Sequence, residues 1–93
     1  MDLSLTRVEA ALGEIDPVFL DTPQFVSDRL SDALGREVLV KVETINPIGS
    51  FKGRGTSVLA RKLDAALTWV CATAGNFGQG VAYGARKRGA TVE

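Results

Sequence analysis

Lys52 lies in the stretch "NPIGSFKGRG", residues 46–55, with Gly49, Gly53 and Gly55 around it and a helical pattern beginning at Phe51. A cation at that point opposes the helix dipole by roughly 0.3–1 kcal/mol. Glycines in the first turns of a helix cost about 0.5–1 kcal/mol each relative to alanine. Local stability therefore gives no reason for the arrangement, but reactivity does. The positive end of a helix works against the ammonium form, and burial would do so further. The neutral amine is the form that adds to a carbonyl compound to give a Schiff base. The plainer alternative is an exposed lysine in a flexible turn, touching at most a phosphate.

A second stretch, "TAGNFGQG" at residues 73–80, follows an apolar run and opens a helix. Open α/β sheets bind their ligands at such turns, where backbone N–H groups suit an anion. Thr73 and Asn76 add side-chain hydrogen bonding. A packing role competes: Gly80 and Gly84, one turn apart, would let the helix approach a sheet closely. So does a nucleotide site. Gly75, Gly78 and Gly80 resemble part of a dinucleotide fingerprint, with Glu93 standing about where a ribose-binding acid would. The spacing is GxxGxG, however, not GxGxxG, and a nucleotide site leaves "NPIGSFKGRG" unexplained.

Both stretches must be positioned by regular elements. Residues 4–14 place Leu5, Val8 and Leu12 at helical spacing behind Ser4, a possible cap, and Gly13 and Pro17 end that helix. "DTPQF" reads as a turn or extended run. "SDRLSDALG" reads as a short helix closed by Gly35. In "EVLVKVE", Val38, Val40 and Val42 alternate with Leu39 and Lys41, the mark of a strand. "NPIG" forms a turn, and Ser50 can cap a helix from Phe51 to Ala66 that buries Val58, Leu59, Leu63 and Ala66. "TWVCAT" reads as a strand covered on both faces. "AGNFGQG" is a glycine-rich turn. "VAYGARKR" is a helix with cations at its end, stopped by Gly89, and "ATVE" begins a further strand. Strand, helix, strand, helix and strand in order predict parallel βαβ units and an α/β sheet, here incomplete.

Composition narrows the chemistry. The chain has 93 residues and equal numbers of basic and acidic side chains, 11 each. That balance argues against a nucleic-acid or membrane-surface module. With no histidine, a histidine base and histidine-type zinc sites are excluded. Cys71, the one cysteine, can form no internal disulfide, which suits a reducing cytoplasm. It is expected to be a small core residue, as Trp69 and Tyr83 are expected to be packing residues. The N-terminus is polar, and no run approaches the roughly 20 apolar residues of a membrane span.

Taken together, the two stretches resemble one known family. "NPIGSFKGRG" resembles the cofactor-lysine motif of the serine/threonine dehydratases, pyridoxal-phosphate enzymes of the tryptophan-synthase-β-like fold (fold type II). "TAGNFGQGVAYGARKRGATV" resembles that family's asparagine loop and the helix after it. Upstream, "DTPQFVSDRLSDALGREVLVKVE" resembles its opening segment: a Thr-Pro pair, a short helix and a strand ending in Lys-x-Glu. The resemblance runs from about Asp21 to Glu93. It implies that residues 1–93 are the N-terminal portion of a two-domain lyase, with no internal boundary.

The resemblance also implies roles. Lys52 would hold pyridoxal 5'-phosphate as a Schiff base and later take the substrate's α-proton. Phe51 would pack against the cofactor ring, and Asn76 would hydrogen-bond its 3-oxygen. Thr73, Ala74, Gly75 and Phe77 would form the loop that holds the substrate carboxylate. The substrate would be a small amino acid, threonine or serine, and the products a 2-oxo acid and ammonia. The complete enzyme would be a cytoplasmic homo-oligomer with no nucleic-acid or membrane partner. Two departures qualify this. Phe77 stands where the dehydratases usually carry histidine, which puts substrate preference in question. Ala74 stands where serine racemases carry a serine, which disfavours racemisation. Threonine synthases and cysteine synthases share the fold and stay open as alternatives, as does a non-catalytic remnant. The family's phosphate-binding loop and pyridine-nitrogen partner lie downstream of these residues, so the 93 residues alone are expected to be inactive.

Overall fold

The computed structural model describes residues 3–93; Met1 and Asp2, which open the polar N-terminal stretch, lie outside the described residues. In chain order the elements are α1 (Leu5–Ala11), a 3-10 turn (Pro17–Phe19), β1 (Gln24–Val26), α2 (Asp28–Leu34), β2 (Leu39–Lys41), α3 (Lys52–Lys62), β3 (Thr68–Trp69), α4 (Asn76–Arg88) and β4 (Thr91–Val92). Ser4 and Ser27 cap α1 and α2, their hydroxyls accepting the Arg7 and Leu30 N–H at 3.2 and 3.3 Å. Gly35 and Gly89, both in the left-handed region, close α2 and α4 as the sequence predicts. Among the described residues, no helix is long and apolar enough to cross a membrane.

β3, α4 and β4 form the expected parallel βαβ unit, with Thr68 opposite Thr91 and Trp69 opposite Val92. Two further backbone bonds, Glu93 N–H to the Trp69 carbonyl and Cys71 N–H to the Glu93 carbonyl, continue the ladder. β2 departs from the predicted order. It pairs antiparallel with β1 in a separate two-stranded sheet, Phe25 opposite Val40. Bonds from Ser27 N–H to the Val38 carbonyl and from Val42 N–H to the Pro23 carbonyl flank that pairing. The alternation in this segment holds: Val38, Val40 and Val42 are half-buried while Leu39 and Lys41 are exposed. β3 is shorter than "TWVCAT" and covered on one side only. Trp69 is buried, but Val70 is 77% exposed.

The helices differ from expectation in their bounds and their buried faces. α3 stops at Lys62, short of Ala66. Asp64 ends it by taking over the local backbone: its carboxylate accepts the Ala66 N–H, and its carbonyl accepts the Leu67 N–H and the Trp69 indole N–H. The residues α3 buries are Gly53, Thr56 and Ala60, not Val58, Leu59, Leu63 and Ala66. α4 begins at Asn76 and absorbs most of the predicted glycine-rich turn.

Small residues on one helix meet small residues on the other. A Cβ on Gly80 would lie 2.4 Å from the Thr56 hydroxyl, and one on Gly84 would lie 2.7 Å from the Ala60 methyl. Gly80 and Gly84 thus admit a helix rather than a sheet. Around this seam Ala60, Trp69, Val81 and Ala85 form the core, with Cys71 packed half-buried against it. Phe19, 1% exposed, fills the space beside Gly53 and meets Tyr83 edge-on at 5.5 Å.

Candidate functional site

The seam between α3 and α4 fixes the relation of the two stretches singled out in the sequence. Thr56 faces Gly80, and Ala60, one turn on, faces Gly84. Contacts that advance together along both chains mean that the helices run in the same direction. Their N-termini therefore lie at one end of the pair. Carried one turn back, the register sets Lys52, the first residue of α3, level with Asn76, the first residue of α4. Both helices open with N–H groups that have no intrahelical partner, so this end of the pair is electropositive.

The segment leading to Lys52 is organised by one side chain. The Asn46 amide donates to the carbonyls of Glu43 and Ser50 at 3.0 and 2.9 Å. Its oxygen accepts the N–H groups of Ile48 and Ser50 at 3.0 and 3.3 Å. Gly49, with φ +65°, makes the left-handed step that the turn requires. Buried Ser50 then accepts the Lys52 N–H at 3.2 Å; the N-cap position itself is Phe51, not the expected Ser50, and no side chain caps it. Beyond Lys52, Arg54 reaches back to Glu43 through Nε and Nη2, at 3.3 and 3.0 Å, and to Thr22 Oγ1 at 3.2 Å. Thr22 in turn donates to Glu43 at 2.8 Å. The Thr-Pro pair, the Lys-x-Glu strand end and the lysine motif are thereby tied into one cluster.

Lys52 itself is exposed, not buried. Its Nζ sits 5.0 Å from the centre of the Phe51 ring, and that ring is 60% exposed. On the other stretch, Thr73 takes the capping role: its hydroxyl accepts the Gly75 and Gly78 N–H at 3.2 and 3.3 Å. Thr73, Ala74, Gly75, Asn76 and Phe77 are all exposed and line up around the start of α4. The seven predicted residues thus fall on two neighbouring helix starts. The nucleotide alternative loses its footing, because Gly78 closes on Thr73 and Gly80 on Thr56. Sequence reasoning missed Asn46, Glu43 and Thr22 as organisers of the site. Their signals were present in "NP", in Lys-x-Glu and in the Thr-Pro pair.

The other end of the helix pair has different chemistry. Lys87 pairs with Asp16 at 2.6 Å. Hydrogen bonding to Lys87 holds the Asp16 carboxyl below its ordinary value of 3.8, and the same bond raises Lys87. A cavity of about 420 Å³ lies there, lined in part by Asp16, Arg61, Lys87 and Arg88. Arg88 donates to the Ala60 carbonyl. This cavity is remote from Lys52. Among the described residues no group of three or more histidine, cysteine or acidic side chains is placed to hold a metal ion.

A primary amine with no ion pair among the described residues, an aromatic face beside it, an amide at the same level and an electropositive helix end are the donor set that an aldehyde carrying an anionic oxygen calls for. The residues present therefore fit the aldehyde side of pyridoxal phosphate.

Comparison with known proteins agrees with that chemistry. The chain is 39% identical over 90 residues to the L-threonine dehydratase biosynthetic IlvA of Mycobacterium leprae, covering 94% of this chain and 21% of that protein. It is 39% identical over 87 residues to the protein of the same name from Mycobacterium tuberculosis, covering 90% and 20%. It is 37% identical over 75 residues to the L-serine dehydratase/L-threonine deaminase of Bos taurus, covering 78% and 23%. The chain thus spans about a fifth of the length of these curated relatives. No solved structure matches it. The family model described as "Pyridoxal-phosphate dependent enzyme" matches residues 15–93, and the chain belongs to that family.

Proposed function

We propose that this chain is the N-terminal portion of a two-domain pyridoxal-phosphate-dependent serine/threonine dehydratase that converts a small hydroxyamino acid to a 2-oxo acid and ammonia. The observation that carries it is the parallel register of α3 and α4, which brings the helix start bearing Lys52 beside the one bearing Asn76. The named relatives are threonine and serine dehydratases, which supports this substrate class over the threonine synthase and cysteine synthase alternatives.

When bound, the cofactor supplies an electron sink for the substrate's α-carbon. The protein's own residues do the rest. The Lys52 amine would hold the cofactor's aldehyde carbon, and its Nζ, when free, would take the substrate's α-proton. Asn76 would donate from its amide to the cofactor's anionic 3-oxygen, and Phe51 would cover the ring. Backbone N–H groups of the Thr73–Phe77 loop hold the substrate carboxylate at the α4 N-terminus. Phe77 replaces a polar side chain by an apolar one near the substrate, and Ala74 offers no acid or base on the opposite face. The whole enzyme acts as a homo-oligomer in the cytoplasm, on amino acids alone, with neither nucleic acid nor membrane as partner.

Borohydride reduction of the full-length protein loaded with pyridoxal 5'-phosphate, followed by peptide mapping, tests the assignment. The label is expected on Lys52. A label on Lys41, Lys62 or Lys87 instead would overturn it.

A further inference from the structure

Glu43 holds the lysine loop at both of its ends. Its carbonyl accepts from Asn46 at 3.0 Å, and Asn46 holds Ser50, whose hydroxyl accepts the Lys52 N–H. Its carboxylate accepts two bonds from Arg54, at 3.3 and 3.0 Å. Lys52 therefore lies inside a ring of hydrogen bonds that leaves Glu43 and returns to it. Thr22 closes the ring onto β1, bonded to both Arg54 and Glu43 at 3.2 and 2.8 Å. Lys41 adds its amine to the Thr22 carbonyl at 3.2 Å. Beneath the ring, the buried Phe19 side chain lies against Gly53, where a Cβ would be 2.2 Å from the ring carbon Cε1. The start of α3 is fixed from the side by Arg54 and from below by Phe19.

We infer that Arg54 is a positioning residue for Lys52: its bridge to Glu43 and Thr22 sets where the amine emerges beside Asn76. This rests on the assignment of Lys52 as the Schiff-base lysine. The planar guanidinium suits the task, because one fork spans the carboxylate while a nitrogen also reaches the Thr22 hydroxyl; an ammonium on a flexible stem cannot hold that geometry. The carboxylate and guanidinium are partly sheltered, with side-chain exposures of 21% and 29%, so solvent screens the bridge less than it would a surface pair.

The test uses the full-length protein and reads two quantities apart from turnover. One is the rate at which pyridoxal 5'-phosphate becomes reducible onto Lys52; the other is the share of the borohydride label carried by Lys52 against the remaining lysines. Arg54→Ala and Glu43→Gln should slow labelling of Lys52 by roughly tenfold, since misplacement by even about 1 Å is costly to a bond-forming step, and should spread the label to other lysines. Arg54→Lys should fall between these and the wild type. Asp16→Asn, which breaks the ion pair at the opposite end of the helices, should lower the melting temperature and leave Lys52 labelling unchanged. Circular dichroism establishes that each variant folds, and the mild Arg54→Lys and Glu43→Gln changes keep the test open if Arg54→Ala does not. Labelling of Lys52 at the wild-type rate in folded Arg54→Ala or Glu43→Gln protein would overturn the inference. A wild-type protein labelled elsewhere than Lys52 would instead overturn the assignment beneath it.

Discussion

The segments leading into α3 and α4 each end at a helix start bearing a candidate site residue, but they are held in different ways. The lysine segment is braced along its length: Asn46 makes four hydrogen bonds within residues 43–50, the Ser50 hydroxyl accepts the Lys52 N–H, and Arg54 returns to Glu43. The asparagine segment is braced chiefly by the Thr73 hydroxyl, and residues 73–77 are exposed. The contrast separates two tasks. A group that must form a covalent bond gains from being fixed in advance. A loop that must close around a substrate is drawn from less firmly held structure. The lysine is positioned by the chain itself, and the asparagine loop carries fewer braces of its own.

Substitutions can break this contrast, and the largest effect should come from its strongest brace. Asn46→Ala removes four hydrogen bonds, each contributing on the order of 1 kcal/mol, from a half-buried loop. A loss of about 2–4 kcal/mol in urea unfolding is expected. Gly53→Ala should follow, because its methyl would meet the Phe19 ring at 2.2 Å. Overpacking of this kind costs roughly 1–3 kcal/mol. Adding Phe19→Leu to Gly53→Ala should restore part of that loss, a coupling that a double-mutant cycle would register. Thr73→Ala removes the one hydroxyl brace of the second segment and should cost about 0.5–2 kcal/mol, the range of a lost helix cap. A cost for Thr73→Ala above that for Asn46→Ala would reverse the contrast.

The smallest effect lies at the far end of the helices, where Asp16 pairs with an exposed Lys87. Asp16 is held below its ordinary value by the hydrogen bond from Lys87. Its contribution is therefore present above pH 3.8, the ordinary value, and lost as pH falls through the lowered one. Lys87 is raised above 10.5 by the same bond. Its contribution is present below that pH and lost as pH rises through the raised value. Thermal melts of wild type and Asp16→Asn should differ slightly between these limits and converge below and above them. High salt should narrow the difference.

The sequence disclosed local facts more readily than long-range ones. The serine cap at Ser4, the glycine stops at Gly35 and Gly89, and the valine alternation across Val38–Val42 all express short-range rules. The pairing of β2 with β1 was not legible, because three residues behind Pro23 are too few to show a strand period. Small residues concealed the buried face of α3: Gly53, Thr56 and Ala60 carry little hydrophobic signal, while the larger Leu59 is exposed. The site residues were legible by type and motif. Their braces were legible only as separate motifs, because Thr22, Glu43 and Arg54 are brought together by tertiary structure.

The central claim is that Lys52 and Asn76, on two neighbouring helix starts, address one cofactor. A pH titration of the visible absorbance of the loaded full-length protein, in wild type and Asn76→Ala, tests it most directly. A hydrogen bond to a charged oxygen contributes on the order of 1.5–3 kcal/mol. Removing the donor should therefore move the titration midpoint upward, because the anionic oxygen loses its support. Turnover should fall roughly ten- to a hundredfold, while the absorbance and the borohydride label on Lys52 persist. Superimposable titration curves for wild type and Asn76→Ala would remove Asn76 from the cofactor and contradict the account.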